Sequence, residues 1–419
     1  MSTLRHNVLA LGVDYGFFML ALTFASQTTI LPAFAAWLGA PNVVIGAIPA
    51  VMTLGWFLPS LFAAGHTETL TRKLPFLMKW TLWERVPFLV MALLAFFTAA
   101  RWPGLTLGLV LLMLLIITGV GGVLMPAWMD LIARALPTTI RGRFFALSNF
   151  AAGLVGFAAS LFIAEVLARV PAPASYGICF LGATVCVGLS YVALAMVREQ
   201  VAESAAAPVP LRDYLRRMPG LLRRDRNLSW FLTARAFGLT GAMASGFYTV
   251  YALRAWNAPA SQAGVFTAMM LLGQSIGTLT LGWVGDHAGH RLVLLIGMTA
   301  AACATAVALV APSLAAFGVV FVLVGVQASA INVSALNVLL EFSPTAAARP
   351  TYVGLGTTAM TPMAFVAPLA GGLLADAVGF RAMFVVSLAF AVVGLVMLAT
   401  LVRDPRHVVL AGGVEESRA

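Results

Sequence analysis

Apolar positions run along this chain in long, nearly unbroken stretches, and polar positions gather in short breaks between them. A helix needs about 20 apolar residues to cross the hydrocarbon core of a bilayer. Twelve stretches reach that length: 8–37, 42–64, 77–99, 104–134, 144–169, 174–197, 228–253, 261–284, 291–311, 313–341, 351–377 and 380–402. They are continuously apolar and lack the alternation of a membrane β-barrel strand. The first is too long for a signal-peptide core, carries Asp14 and has no convincing cleavage site after it, so it reads as a retained span. The pattern predicts an all-α multi-pass membrane protein with twelve transmembrane helices, numbered here span 1 to span 12.

The breaks divide the spans. Most are short, but 198–227 is long, polar and rich in Pro and Arg. Its middle, "LRDYLRRMPGLLRR", is amphipathic enough to lie on a membrane surface. The predicted organisation is an N-terminal six-helix bundle (1–197), a cytoplasmic central loop (198–227), a C-terminal six-helix bundle (228–402) and a cytoplasmic tail (403–419). The two halves look related. Pro137-Thr-Thr-Ile-Arg141 after span 4 parallels Pro344-Thr-Ala-Ala-Ala-Arg349 after span 10, with one residue inserted. Glu68, Arg72 and Lys73 after span 2 stand in register with Asp286 and Arg291 after span 8. Two six-helix pseudo-repeats related by an axis along the membrane normal are a transporter architecture.

Composition agrees with the pattern. Hydrophobic residues are 61% of the chain and charged residues 10%, against roughly 45–50% and 25% in soluble domains. The net charge of +10 would suggest a nucleic-acid partner in a soluble protein. Here it sorts by loop. With the N-terminus inside, the outer loops hold only Arg101, Arg169, Arg254 and Arg381. Arg85 and Arg235 lie within spans, and the other nineteen of the 25 Lys and Arg face the cytoplasm. That asymmetry is the positive-inside rule, so both termini are expected in the cytoplasm and no nucleic acid is expected. The Arg-over-Lys bias suggests a GC-rich bacterial genome, hence the inner membrane. Cys179, Cys186 and Cys303 lie singly in apolar runs, so neither a disulfide framework nor a metal site is implied.

The stretch 282–291, "GWVGDHAGHR", concentrates polar residues between spans 8 and 9. Its skeleton Gly282-x-x-x-Asp286-x-x-Gly289-x-Arg291, with Arg141-Gly-Arg143 after span 4, resembles the loop signature of the major facilitator superfamily of secondary transporters. The resemblance covers all 419 residues through the twelve spans, the six-plus-six split and the long central loop. There are departures. Glu68 stands where Asp is usual in the copy after span 2, and Ala64 where Gly is expected. Span 5 has only Gly153-Leu-Val-Gly156 in place of the antiporter signature, and a similar pattern, Pro368-Leu-Ala-Gly371-Gly372, appears in span 11. The resemblance implies that Asp286 faces Arg141 and Arg143 at the start of span 5, and that Glu68 mirrors this near Arg349. Such contacts would latch the cytoplasmic side shut. The other reading is that Asp286 and Arg291 only orient their loop.

Ionisable residues within spans are costly and usually face the bundle interior. Asp14 in span 1 and Arg235 in span 7 occupy equivalent places in the repeat. Three readings stand for them: a pair across the halves, a proton site at Asp14, or side chains that reach cytoplasmic water. Glu84 and Arg85 in span 3 point about 100° apart, so they are expected not to pair with each other but to tie span 3 to span 2 or 4. Glu341 ends span 10 and is expected to join the loop network. The candidate substrate cavity comprises Gln27, Trp56, Asn149, Tyr248, Gln274, Gln327 and Asn332, although buried polar residues also bind helices together. No base sits clearly at mid-depth, which favours a neutral, amphipathic or cationic solute.

All five histidines, His6, His66, His287, His290 and His407, are terminal or in breaks, and no nucleophile elbow or phosphate loop is present. An enzyme and an ATP-driven pump are therefore disfavoured, and no cofactor is expected. The sequence predicts a monomeric secondary transporter in the lipid bilayer, proton-coupled or facilitative, moving a small molecule by alternating access, with efflux as one direction. The alternative is a non-transporting receptor or assembly factor of the same fold.

Overall fold

The computed structural model describes residues 3–68, 70–199, 220, 222–223, 225–343 and 349–406, without the side chains of 61, 64–66, 68 and 349–351. Most of the predicted central loop (198–227) and tail (403–419), with His407, lies outside the described residues. The same holds for the side chains of His66, Glu68 and Arg349. Among the described residues, eleven helices are long and apolar enough to cross a membrane. The twelfth span is present in two pieces. Span 7 is Arg226–Gly241, a tighter turn at Ala242–Gly246, and Tyr248–Ala255. Span 1 breaks in the corresponding place, Thr3–Phe24 followed by Ile30–Trp37. The protein is thus a multi-pass integral membrane protein, and it deviates from the predicted continuous helices at one matching position in each half.

The remaining spans are single helices. In the first half they are Asn42–Glu68, Leu74–Phe97, Pro103–Ala135, Thr138–Arg169 and Ala174–Ala195. In the second half they are Gln262–Ala288, His290–Val310, Leu314–Phe342, Arg349–Val378 and Phe380–Thr400. Span 8 therefore runs through most of "GWVGDHAGHR", which the sequence reads as loop. Asp286 lies on its last turn, and the chain turns at Gly289 alone, whose φ of +94° only glycine adopts freely.

Helix packing repeats between the halves. Span 1 packs on spans 5 and 6, and span 3 on spans 4 and 6; span 7 likewise packs on 11 and 12, and span 9 on 10 and 12. Small residues allow the approach. A side chain at Gly241 of span 7 would start 2.5 Å from the backbone nitrogen of Ala391 in span 12.

A hydrogen-bond motif repeats as well. Asn7 clasps the backbone of Arg198, donating to its carbonyl (3.0 Å) and accepting from its N–H (2.9 Å). Asn227 does the same to Arg403, at 3.0 and 2.8 Å. Each clasp ties the start of a half's first span to the segment after its last, and within each unit we call that end its clasp face.

By compactness the chain divides differently from the repeat. One unit is Met1–Leu211 with Gly246–Leu271, and the other is Arg212–Ser245 with Leu272–Ala419. The far ends of spans 7 and 8 thus belong to the first unit, where they close its end remote from the clasp face. Thr249 donates to the Thr28 carbonyl (2.8 Å), the Thr29 and Thr267 hydroxyls pair (2.6 Å), and Arg254 donates to Asn42 (3.1 Å).

Candidate functional site

The first unit buries a charge cluster between spans 1, 3, 4 and 6. Asp14, Glu84 and Arg85 are each less than a tenth exposed. Arg85 Nη2 lies 3.5 Å from Asp14 Oδ1, and Nη1 lies 3.4 Å from Glu84 Oε2. Arg85 also donates from Nε to the Val187 carbonyl (3.0 Å) and from Nη2 to Ser190 (2.8 Å), and its guanidinium stands 5.8 Å from the Tyr191 ring. Asp14 accepts from Ser190 (2.6 Å) and from Trp128 Nε1 (3.1 Å). Glu84 accepts from Thr81 (2.9 Å).

One sequence expectation is corrected here. Glu84 and Arg85 do pair, because the long arginine stem swings its fork back across the 100° between them. Within its own unit Asp14 is answered by Arg85, a partner that none of the three readings for Asp14 included. Burial drives both outcomes, since an unpaired charge in an apolar bundle is far costlier than a bent side chain.

The cluster connects to span 5. Trp128 stacks on Tyr15 with ring centres 6.0 Å apart, and the Tyr15 hydroxyl donates to Asn149 Oδ1 at 2.8 Å. Trp56 packs edge-on against Phe18 at 6.4 Å. The structure thus brings Asp14, Asn149 and Trp56 into one region. Tyr15, Trp128 and Ser190 complete it. A sequence reading misses them because nothing local marks a Trp or Ser as the partner of an acid more than a hundred residues away.

Span 1 carries a second feature on its other side. An apolar groove of about 500 Å³ runs between spans 1 and 5, with Gly12, Gly16 and Leu20 on one wall and Phe144, Leu147 and Val155 on the other. Its one charged lining residue is Arg143.

The other candidates are placed as follows. Gln27 is exposed in the break of span 1, and Tyr248 is buried at the start of the second piece of span 7. Gln274 is half-buried in span 8, and Asn332 is exposed on span 10. Arg235 and Gln327 line one cavity within the second unit.

The signature residues act on helix ends. Arg141 donates to the carbonyls of Ala133 and Leu136, which close span 4. Arg291 Nη2 donates to the carbonyls of Leu398 (3.0 Å) and Ala399 (2.8 Å) at the end of span 12. Both satisfy carbonyls that a helix C-terminus leaves unpaired. Lys73, expected in an open loop, is buried, with Nζ bonded to the Thr67 carbonyl and 3.3 Å from Asp130. Its backbone N–H donates to Glu199 (2.6 Å), which caps span 3. Arg72, Arg143 and Asp286 are exposed. Gly282 lies within the span 8 helix.

Comparison with known proteins follows this geometry. Residues 230–417 match the family model described as Major Facilitator Superfamily. A tetracenomycin C resistance and export protein of Streptomyces glaucescens is 31% identical over 136 residues, 32% of this chain. That match spans only a quarter (25%) of the relative's length.

The solved structure of a nucleoside transporter superposes with a TM-score of 0.70 at 13% identity, over 93% of this chain and 98% of that one. A bacterial homologue of the human lysosomal transporter Spinster, inward-facing and unoccupied, gives 0.67 at 13% identity, over 95% and 96%. The E. coli xylose transporter, partially occluded and inward-open, gives 0.64 at 13% identity, over 95% and 98%. At such identities the likeness is one of fold.

Proposed function

We propose that this chain is a member of the Major Facilitator Superfamily, whose family model matches residues 230–417, and that it is a proton-coupled secondary transporter exporting an amphipathic small molecule by alternating access. The family's members are not enzymes, and the residues support no other chemistry better. We assign the clasp face of each unit to the cytoplasm from the distribution of Lys and Arg, which puts both termini there. The inner membrane and a monomer complete the proposal.

One observation carries this reading: span 1 presents two working faces. One face, with Leu9, Gly12, Val13, Gly16 and Leu20, lines the apolar groove. The other holds Asp14 in the buried cluster. Two carboxylates share one guanidinium there, so a single proton neutralises the cluster. Protonation of Asp14 removes its attraction to Arg85 and loosens span 1 from spans 3, 4 and 6. The helix lining the groove is then free to shift. The groove's apolar walls and single arginine favour a neutral or weakly acidic amphipathic solute over a cation. The export relative supports the direction.

Gln27, Trp56, Asn149, Tyr248, Gln274, Gln327 and Asn332 do not line this groove, and the proposal keeps them as candidates for solute contact elsewhere along the transport cycle. The latch between the halves, through Asp286, Arg141 and Arg143 and through Glu68 and Arg349, belongs to the same proposal. A Cβ at Gly16 meets nothing within 4 Å, so Gly16→Phe fills the groove without pushing on the backbone. Binding of fluorescent amphipathic dyes to the purified protein should weaken about tenfold or more, with Tm unchanged. Undiminished dye binding by Gly16→Phe would remove the groove from the solute path.

A further inference from the structure

The second unit repeats the packing of the first but leaves one charge unanswered. Its spans 7, 9, 10 and 12 correspond to spans 1, 3, 4 and 6, which enclose Asp14, Glu84 and Arg85 in the first unit. Aligning Asn227 on Asn7, the two clasp residues, sets Arg235 opposite Tyr15, one residue past Asp14. The enclosed space is not filled by protein. It is a cavity of about 60 Å³, with Arg235, Gly238, Gly297, Met298, Gln327 and Ile331 among its walls.

None of its lining residues is acidic. Among the described residues, no carboxylate and no hydrogen-bond partner reaches the Arg235 guanidinium. The residue stands nine positions into its helix, about 14 Å from the helix start. A guanidinium always carries its charge, and Arg235, half-buried on the wall of this cavity, faces it with no opposite charge beside it. The first unit answers its buried cation with two carboxylates. The second supplies a cation, an amide and an open volume.

We propose that this cavity is a binding site for a small monoanion, held by the Arg235 fork and the Gln327 side-chain amide. The chemistry is that of a halide, nitrate or short carboxylate: one negative charge, acceptor atoms only, and a size to match. A cavity needs about 10–15 Å³ to hold a water, so about 60 Å³ has room for one such anion and a few waters. The planar fork suits an oxygen anion bidentately and a halide between its two N–H donors. The apolar remainder of the wall excludes multiply charged anions, for which no second cation is present on the lining. The anion is either a free inorganic ion or the carboxylate of an organic solute, and the two sources are separable.

The test is the thermal stability of the full-length protein in detergent, in sodium salts of chloride, nitrate, acetate and gluconate at one ionic strength. Gluconate is too large for the cavity and serves as reference. The site predicts a rise in Tm of about 3 °C or more over gluconate, and loss of that rise in Arg235→Gln. A rise with chloride and nitrate identifies an inorganic anion; a rise with acetate alone identifies an organic carboxylate. Equal Tm in all four salts, or the same rise in Arg235→Gln, overturns the proposal. If Arg235→Gln does not fold, Gln327→Leu decides. A weakened rise supports the site, and a rise equal to the wild type's refutes it.

Discussion

At the scale of single residues, Arg85 organises the first unit. It sits in span 3, bonds to span 6 through Val187 and Ser190, and faces Asp14 of span 1 and Glu84. Removing it leaves two buried carboxylates facing each other with no cation. Arg85→Gln is therefore expected to cost about 3–5 kcal/mol, seen as a Tm lower by roughly 6 °C or more. Adding Glu84→Gln to it should recover part of the loss, since one of the two orphaned acids is gone. An Arg85→Gln protein as stable as wild type would mean that the cluster is hydrated and not held by its own charges. This network is also where the sequence was least legible. Asp14 announces itself as an acid in an apolar run. Its partners do not, because a reach from span 3 to spans 1 and 6 leaves no periodic mark in the chain. The rule that adjacent helical positions diverge fails for a side chain as long as arginine.

At the scale of elements, the twelve spans were readable because bilayer-length apolar runs have one solution in lipid, a helix with its backbone bonded internally. Their breaks were not. The interruptions of spans 1 and 7, Ala25–Thr29 and Ala242–Phe247, are five and six residues long and uncharged, so a window of bilayer length passes over them. The end of span 8 departs from the hydropathy pattern in the opposite sense. Polar residues suggested a loop, yet they ride on a helix that ends only where Gly289 turns.

The Asn clasps had a detectable signal in the paired Val197-Arg198-Glu199 and Val402-Arg403-Asp404. They lead to a symmetrical expectation. Asn7→Ala and Asn227→Ala each lose two bonds to backbone and should each cost about 1–3 kcal/mol, read by chemical or thermal unfolding of the purified protein. A large loss in one and none in the other would show that the repeat is one of shape only.

The far-end closure of the first unit gives a second element-scale expectation. A side chain on Gly264 of span 8 would begin 2.5 Å from the backbone nitrogen of Ala164 in span 5, and backbone cannot step aside. Gly264→Val should therefore disfavour the closed far end. The distance between spin labels at positions 101 and 257 should lengthen, and an unchanged distribution would show that this packing does not set the closure.

At the scale of the whole molecule, one helix, span 1, lies against both the groove and the charge cluster. In the proposed mechanism the groove between spans 1 and 5 takes the solute, and the cluster behind span 1 takes the proton. The likeness of fold suggests the class of device; the coupling through the two faces of span 1 is the proposal. The central claim is that a proton at Asp14 and a solute in the groove drive the same movement. The most direct measurement is flux through purified protein in proteoliposomes with no nucleotide present, using an amphipathic dye as solute and an imposed pH gradient as the only energy source. The account predicts dye movement against its own gradient in the wild type. In Asp14→Asn it predicts loss of that uphill movement with dye binding retained. Uphill flux that persists in Asp14→Asn, or wild-type flux indifferent to the pH gradient, would contradict it.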